Sequence, residues 1–161
     1  MKPALRLVLR RPDPARFEAD ADEVAALFVA ARRAALPGLR EAHTEAEIRA
    51  WMRETVFPRQ SVRLACLRDE IVGFAARDGA WLAHLYVKPG WTGHQIGQEL
   101  LDATIAEATP LTPVLRLWTF QRNAGARRFY EGNGFVVARE GDGKGNEEGE
   151  PDILYERQLR G

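Results

Sequence analysis

Two glycines, Gly93 and Gly97, are spaced as G-x-x-x-G where the sequence pattern changes from strand to helix. Residues 82–87 are apolar and rich in β-formers, and the apolar positions within 96–101 follow helical spacing. The first N–H groups of a helix have no intrahelical partner and lie at the positive end of the helix dipole. The loop 93–97 is therefore a candidate site for a phosphate, although an ordinary strand-to-helix connection explains the spacing equally well.

Two common nucleotide-binding motifs are excluded by the residues of this stretch. The dinucleotide-binding fold requires G-x-G-x-x-G in an early βαβ unit, with an acidic residue about 20 positions further on, and the chain has neither. A P-loop requires Gly-Lys-Ser or Gly-Lys-Thr after its glycines, and this too is missing. A phosphate in this loop would have to be bound mainly by backbone N–H groups.

The composition favours a single domain whose partners are small molecules or locally charged surfaces. The chain has 161 residues with 45% hydrophobic content, which is enough for one buried core, so we predict one domain over residues 1–161. The 23 basic and 23 acidic side chains cancel. Proteins that bind nucleic acids or membrane surfaces draw affinity from a basic excess, so we expect neither partner.

The remaining reactive side chains predict neither a disulfide nor a metal site. Cys66 is the only cysteine and lies in the apolar run 62–67, which predicts a buried, unreactive thiol. His43, His84 and His94 lack the spacing of metal ligands. No apolar run approaches the ~20 residues of a membrane span, and the N-terminal residues do not form a signal peptide. We therefore expect a cytoplasmic protein without a metal.

The local patterns predict the elements that position these residues. Strands are expected at 5–10, 61–68, 71–77, 80–87, 113–120, 135–140 and 153–158. Helices are expected after a cap at Asp20 or Asp22, after a Thr44–Glu47 capping box, over the stretch that carries Ile96, Leu100, Leu101 and Ile105 on one face, and after Asn123. The predicted fold is mixed α/β in the order β-α-α-β-β-β-α-β-α-β-β, with a largely antiparallel central sheet flanked by helices.

Two segments together resemble the GNAT superfamily of N-acetyltransferases. The segment LYVKPGWTGHQIGQELL is similar to the acetyl-CoA motif of that family, a strand ending in V-x-P followed by [QR]-x-x-G-x-[GA] at a helix start. The segment LWTFQRNAGARRFYEGNGF is similar to the next strand of the family, its Asn-capped helix and the ending F-Y-E-x-x-G-F. The order of elements fits a GNAT-like fold across nearly the whole chain.

The resemblance implies acetyl-CoA as co-substrate and an amine acceptor, either a small molecule or a peptide. Coenzyme contacts are then expected at Leu85, Tyr86, Val87, Thr92, Gly93, His94, Gln95, Ile96, Gly97, Asn123 and Tyr130. Thr92 stands where the family has Gln or Arg, and Gln95 replaces its first glycine. These departures leave a non-catalytic acyl-CoA-binding or regulatory module as the alternative to an N-acetyltransferase. A homodimer also stays open.

His84 is the candidate base, because the corresponding strand of GNAT proteins often carries a Glu or His that acts through water. Histidine also titrates in the useful pH range. Strict alternation along the strand predicts that Leu82, His84 and Tyr86 share one face. A histidine that is hydrogen-bonded within the sheet is the structural alternative.

Tyr130 is the candidate general acid, because its place in F-Y-E matches the family tyrosine whose hydroxyl approaches the coenzyme sulfur. An aromatic side chain that packs on Phe129 and Phe135 is the structural alternative. The resemblance also implies that Asn123 binds the pantetheine arm of the coenzyme, although a helix cap is sufficient to explain this asparagine.

Two charged groups have both a functional and a structural interpretation. An acidic run before the last strand is either a solvated loop or the border of the acceptor mouth, in which case it favours a cationic amine; its members are Glu147, Glu148, Glu150 and Asp152. Arg127 and Arg128 either meet coenzyme phosphates or are solvated surface residues.

Overall fold

The computed structural model describes residues 6–160 and shows a seven-stranded sheet with helices on both faces. The strands are β1 (Leu7–Arg10), β2 (Ser61–Leu67), β3 (Glu70–Asp78), β4 (Trp81–Val87), β5 (Val114–Phe120), β6 (Val136–Gly141) and β7 (Asp152–Gln158). The helices are α1 (Phe17–Ala35), α2 (Glu45–Trp51), α3 (Phe57–Arg59), α4 (Ile96–Ala108) and α5 (Ala124–Gly132). A π-helical segment, Met52–Val56, joins α2 to α3, and a 3₁₀ turn, Pro14–Arg16, precedes α1.

The strand order in the sheet is β1-β2-β3-β4-β5-β7-β6, and all neighbours are antiparallel except β4 and β5. This topology confirms the predicted mixed α/β fold with a largely antiparallel sheet, and the elements follow the predicted order. The predicted start of the first strand, Leu5, lies outside the described residues. Within residues 6–160, no helix is both long and apolar enough to cross a membrane.

The two faces of the sheet bury separate hydrophobic cores. On one face, α1 and α2 pack over β2 and β3, where Phe28, Met52 and Phe74 are at most 5% exposed. The core of the other face contains residues of α4, α5, β5 and β7, among them Leu100 and Tyr155, which have no exposed surface. The sheet therefore lies between two helical layers, and β4 contributes side chains to both cores.

Two predicted helix caps are confirmed by their hydrogen bonds. The Thr44 hydroxyl accepts from the backbone N–H of Glu47 at 3.1 Å, and the Glu47 carboxylate accepts from the N–H of Thr44 at 3.0 Å. The side-chain oxygen of Asn123 accepts from the N–H of Ala126 at 3.2 Å. Helices α2 and α5 therefore begin where local sequence predicts, because a cap satisfies N–H groups only two or three residues away.

The prediction that Asp20 or Asp22 caps the first helix is wrong. Helix α1 begins at Phe17, so both aspartates lie inside it. Asp20 accepts two hydrogen bonds of 2.9 Å from Arg10 of β1, and Asp22 pairs with Arg53. Ion pairs between segments that are distant in sequence thus decide the role of these carboxylates, and spacing along one helix does not reveal them.

Strands β4 and β5 are parallel neighbours that diverge almost at once. Their pairing consists of Trp81 opposite Arg116, with a 2.8 Å hydrogen bond from the N–H of Arg116 to the carbonyl of Ala80. Beyond this point β4 stays paired with β3 and β5 with β7. The sheet is therefore split near its middle, and beyond Trp81 the edge of β4 that faces β5 has no strand partner among residues 6–160.

A β-bulge at Ala83 changes the direction of side chains along β4. In the pairing with β3, Leu82 lies opposite Arg77 and His84 lies opposite Ala76, so Ala83 has no partner. Leu82 therefore packs in the core beneath α4, whereas His84 and Tyr86 face α1. The prediction that Leu82 shares a face with His84 is wrong, because strict alternation does not include the extra residue of a bulge.

Glu107 of α4 holds three strand-end arginines together. Its carboxylate accepts hydrogen bonds from Arg77 at 2.7 Å, from Arg63 at 2.9 Å, and from Arg11 and Ser61. Burial alone would raise the pKa of Glu107, but the hydrogen bonds from these four residues together lower it to about 2. The carboxylate therefore joins α4 to β2, β3 and the end of β1 while it is ionised.

We predict that Glu107 makes the protein sensitive to acid. A carboxyl group whose pKa falls from 4.5 unfolded to about 2 folded contributes up to about 3 kcal/mol at neutral pH. This contribution is complete above pH 4.5 and is lost as the pH falls toward 2. Urea denaturation at several pH values should show that the free energy of unfolding of Glu107→Gln is lower than wild type at pH 7. It should also decrease less than that of the wild type as the pH falls. The exposed Glu99 of the same helix provides the control Glu99→Gln, and equal pH slopes in all three proteins would refute the prediction.

Candidate active site

The split between β4 and β5 opens into a cleft of about 650 Å³. The cleft brings together residues that the sequence places far apart: His84, Leu85 and Tyr86 from β4, and Asn123 and Tyr130 from α5 and its cap. All five are candidate site residues, so the fold collects the central part of the predicted site at one place. The residues of the loop 92–97 do not line this cleft and lie beside it, at the start of α4.

The loop before α4 has the geometry of an anion site. Helix α4 begins at Ile96, its N-cap residue Gln95 makes no side-chain capping bond, and the first intrahelical bond runs from Glu99 to the carbonyl of Gln95 at 3.0 Å. The N–H groups of residues 96–98 therefore have no intrahelical acceptor. A Cβ at Gly97 would lie 3.7 Å from Val87, so the helix start adjoins the end of β4.

The remaining residues of this loop lie on the surface. Thr92, Gly93, His94 and Gln95 are exposed, and the His94 ring packs edge-on against Trp91 at 5.7 Å. Gln95 has a φ of 62° and Gly93 a φ of 83°, both in the left-handed region. Gln95 therefore holds the conformation that a glycine adopts freely, and its side chain points away from the core.

Tyr130 is 8% exposed and packs against Phe129 and Phe135, with ring centroids 5.2 and 5.5 Å away. Its hydroxyl has no hydrogen-bond partner among residues 6–160, although the residue lines the cleft. Burial, with a smaller effect of Tyr86, raises the pKa of Tyr130, so the phenol stays protonated. The ring thus fills a structural position while its O–H remains available as a donor.

His84 is surrounded by aromatic rings. Its imidazole lies 5.0 Å from Trp51, 5.7 Å from Phe28 and 6.3 Å from Tyr86, measured between centroids. The ring forms no hydrogen bond within residues 6–160. Aromatic packing positions it, and the hydrogen bond within the sheet that was the structural alternative is not formed. Burial first and the positive charge of Arg32 second lower the pKa of His84 to about 4. The imidazole is therefore neutral at physiological pH and a weak base.

Asn123 and the arginines of α5 differ in whether their polar groups remain available to a ligand. The oxygen of Asn123 is used by the helix cap, while its NH₂ group has no partner among the described residues. Arg127 donates to the Tyr155 hydroxyl at 3.3 Å and to the Gln121 carbonyl at 3.2 Å, which is a structural role. Arg128 is exposed. The predicted pantetheine contact of Asn123 thus remains available to a ligand.

Arg32 is a site residue that the sequence does not reveal. Its side chain is 12% exposed, and its guanidinium lies 5.0 Å from the Phe28 ring and 5.9 Å from the Phe120 ring. It pairs with Glu148 at 3.0 Å and with Glu41 at 3.7 Å, while its Nε is buried and has no hydrogen-bond partner within the described residues. In the sequence Arg32 is one of two adjacent arginines near a helix end, where solvent exposure is the usual outcome.

Ion pairs attach the acidic run before β7 to the elements beside the cleft. Glu147 bonds to His43 at 2.7 Å and Glu148 to Arg32 at 3.0 Å, which ties the loop to α1 and to the segment before α2. The hydrogen bond to Glu147 raises the pKa of His43, which strengthens the pair. Asp152 is the first residue of β7 and accepts from Asn146 of the loop at 3.0 Å. The run is therefore an ordered border of the site.

We predict that the left-handed conformation of Gln95 costs stability. Gln95→Gly should leave the free energy of unfolding equal or raise it by up to about 1 kcal/mol, since relief of the backbone strain at least offsets the conformational entropy that an added glycine loses on folding. Urea denaturation measures the change. The matched control is Gly93→Ala, which enters open space at φ 83° and should lose about 1 kcal/mol. A clear loss of stability in Gln95→Gly would mean that this side chain has its own stabilising contact.

Comparison with known families agrees with this geometry. Residues 58–137, about half of the chain, match the acetyltransferase (GNAT) domain. The matched region runs from α3 to the start of β6 and includes the split strands, the loop before α4 and all of α5. A comparison with curated proteins found no match.

Solved structures share the fold over nearly the full chain. A GNAT-family protein from Desulfovibrio desulfuricans has a TM-score of 0.74 at 19% identity, over 96% of this chain and 99% of its own. The PaiA N-acetyltransferase of Thermoplasma acidophilum, solved with coenzyme A, has a TM-score of 0.68 at 21% identity, over 96% and 99%. YncA of Salmonella typhimurium, solved with acetyl-CoA, has a TM-score of 0.73 at 19% identity, over 97% and 95%. The domain match, the shared fold and the split sheet lead to one conclusion: this chain belongs to the GNAT family of acetyltransferases.

Proposed function

We propose that the protein is an acetyl-CoA-dependent N-acetyltransferase that transfers an acetyl group to a primary amine, on either a small cationic amine or a peptide. The observation that carries the proposal is the unpaired edge of β4, which faces a cleft lined by Tyr130 and Asn123. The ligands in the Thermoplasma and Salmonella structures support acetyl-CoA as the co-substrate.

The residues of this chain fit the coenzyme at three points. The free N–H groups of residues 96–98 suit a pyrophosphate. The unpaired backbone of residues 85–87 can hydrogen-bond the pantetheine amides as an added strand would, and can donate an N–H to the thioester oxygen. The free NH₂ group of Asn123 lies in the same cleft and suits a carbonyl of the pantetheine arm. Thr92, Gly93, His94 and Gln95 complete the proposed loop around the phosphates.

Arg32 and the aromatic rings around His84 favour a neutral acceptor amine. An alkyl ammonium has a pKa of about 10.4 in water, and only the deprotonated amine is a nucleophile. Burial and the charge of Arg32 lower the pKa of His84, and the same two causes would lower the pKa of an ammonium group docked beside it. His84 accepts a hydrogen bond from the amine and passes the proton to water, since its own basicity is too low to retain it.

Tyr130 assists departure of the thiolate. The amine nitrogen forms a bond to the acetyl carbon while the C–S bond breaks, and the electron pair of that bond stays on sulfur. The Tyr130 hydroxyl, which has no hydrogen-bond partner among residues 6–160, donates to this sulfur. Because burial raises its pKa, the phenol stabilises the thiolate mainly by a hydrogen bond, and a full proton transfer is costly.

We predict that the protein releases free thiol from acetyl-CoA when it is given a panel of primary amines. In the same assay, Tyr130→Phe should lower turnover about 10²-fold. The variant should keep its melting temperature and coenzyme affinity, because the lost hydroxyl bonds to no other group in the described part of the chain. Thiol release measures turnover, and calorimetry measures coenzyme binding. Coenzyme binding without thiol release from any amine would favour the alternative, a non-catalytic acyl-CoA-binding module.

We predict that a negative charge at Gly97 weakens acetyl-CoA binding. A Cβ at Gly97 meets no atom closer than 3.7 Å, so Gly97→Asp and Gly97→Asn should both fold. The aspartate places a carboxylate among the N–H groups that we assign to the pyrophosphate, whereas the asparagine adds similar bulk without charge. Calorimetry should show a dissociation constant raised at least tenfold for Gly97→Asp relative to Gly97→Asn. Equal constants for the two variants would remove this loop from the coenzyme site.

A further inference from the structure

A second cavity of about 670 Å³ lies between α1, α2 and the loop before β7. We call it the acidic chamber, because five carboxylate side chains line it: Glu41, Glu47, Glu54, Glu147 and Glu148. Its cationic side chains are Arg32 and His43. Even with both of these charged, the carboxylates are in excess by three.

The acidic chamber adjoins the cleft at shared residues. Arg32, His84 and Glu148 line both cavities, so the junction lies where the acceptor amine is proposed to react. The His84 ring has no hydrogen-bond partner among residues 6–160, which leaves a polar group at this junction for a ligand. A molecule with one end beside His84 can therefore extend its other end into the acidic chamber.

The charges within the chamber are unevenly paired. Arg32 binds Glu148 and Glu41, and His43 binds Glu147, whereas Glu54 forms no ion pair or hydrogen bond within the described residues. Glu47, Glu54 and Glu147 are exposed, so solvent screens their mutual repulsion, and the surplus of carboxylates along one open cavity attracts a further cation by a salt-dependent force.

The walls of the chamber suit an aliphatic cation. Phe28 and Trp51 line it, with ring centroids 5.8 Å apart. Aromatic rings pack well against methylene groups, so these two suit the aliphatic part of a ligand. The Arg32 guanidinium already lies over the Phe28 ring, which leaves the charged end of a ligand to the carboxylates. An acceptor with a carboxylate at its far end would instead meet the surplus negative charge.

We propose that the acceptor is a linear aliphatic diamine or polyamine, with one amine reacting beside His84 and a second, charged amine held in the acidic chamber near Glu54. The inference rests on the proposed function, because it places the reacting amine at the acceptor site of an acetyltransferase. It adds the substrate class and the residue that selects it.

The test compares acceptors that differ only in the second amine. For 1,5-diaminopentane against pentylamine, KM measured by thiol release should be at least tenfold lower for the diamine. This preference should shrink as NaCl is raised from 20 to 500 mM, since salt screens the attraction. Glu54→Gln should raise KM for the diamine at least threefold and leave KM for pentylamine unchanged. The control Glu18→Gln changes an exposed carboxylate of α1 outside the chamber and should alter neither value.

Binding gives a readout that does not depend on turnover. Calorimetry should show tighter binding of 1,5-diaminopentane than of pentylamine to the wild-type protein, and a reduced difference in Glu54→Gln. Equal affinities for the two amines, a preference that Glu54→Gln does not change, or a lysine peptide favoured over the diamine would overturn the inference. Diamine binding without thiol release would support the chamber and refute the proposed acetyl transfer.

Discussion

The divergence of β4 from β5 is the constraint on which the rest of the structure depends. Backbone N–H and C=O groups inside a fold are almost always paired, and an unpaired strand edge in the middle of a sheet is an exception. Here β4 is paired with β3 at every residue except the bulged Ala83, and β5 is paired with β7 along its whole length, which holds the two strands apart. The resulting cleft gives an extended ligand a backbone to pair with, and α5 brings Tyr130 and Asn123 to its opposite wall.

The split has a closed end, where β4 and β5 pair at Trp81 and Arg116, and an open end, where the two strands have diverged. Different parts of α4 lie beside the two ends. At the closed end, Trp81 pairs with Arg116, and Glu107 binds Arg77, which precedes the turn into β4. Glu107 lies roughly 16 Å along α4 from Ile96, where the helix begins beside the open end. One helix therefore carries the stabilising carboxylate at one end and the free N–H groups at the other. The residues that we expect to control stability in acid and coenzyme affinity therefore lie at opposite ends of α4.

Arg32 governs the electrostatics around His84. A guanidinium that is 12% exposed needs partners, and Glu41, Glu148 and the rings of Phe28 and Phe120 supply them. The same contacts hold the loop before β7 against α1 and place a positive charge near His84. Arg32 thus connects the order of a loop, the neutral state of a histidine and the boundary between two cavities.

Local sequence determined the order of elements, the caps at Thr44 and Asn123 and the glycine loop before α4, because periodicity and capping act over only a few residues. The family resemblance, confirmed by the domain match, placed Tyr130 and His84 beside one cleft. Only the tertiary structure decided which way Leu82 points, since the bulge at Ala83 depends on pairing with β3. It also decided that His84 is neutral and that Arg32 belongs to the site. These properties depend on burial and charge, and Arg32 meets Glu148 across 116 positions of sequence, a separation at which local patterns carry no information.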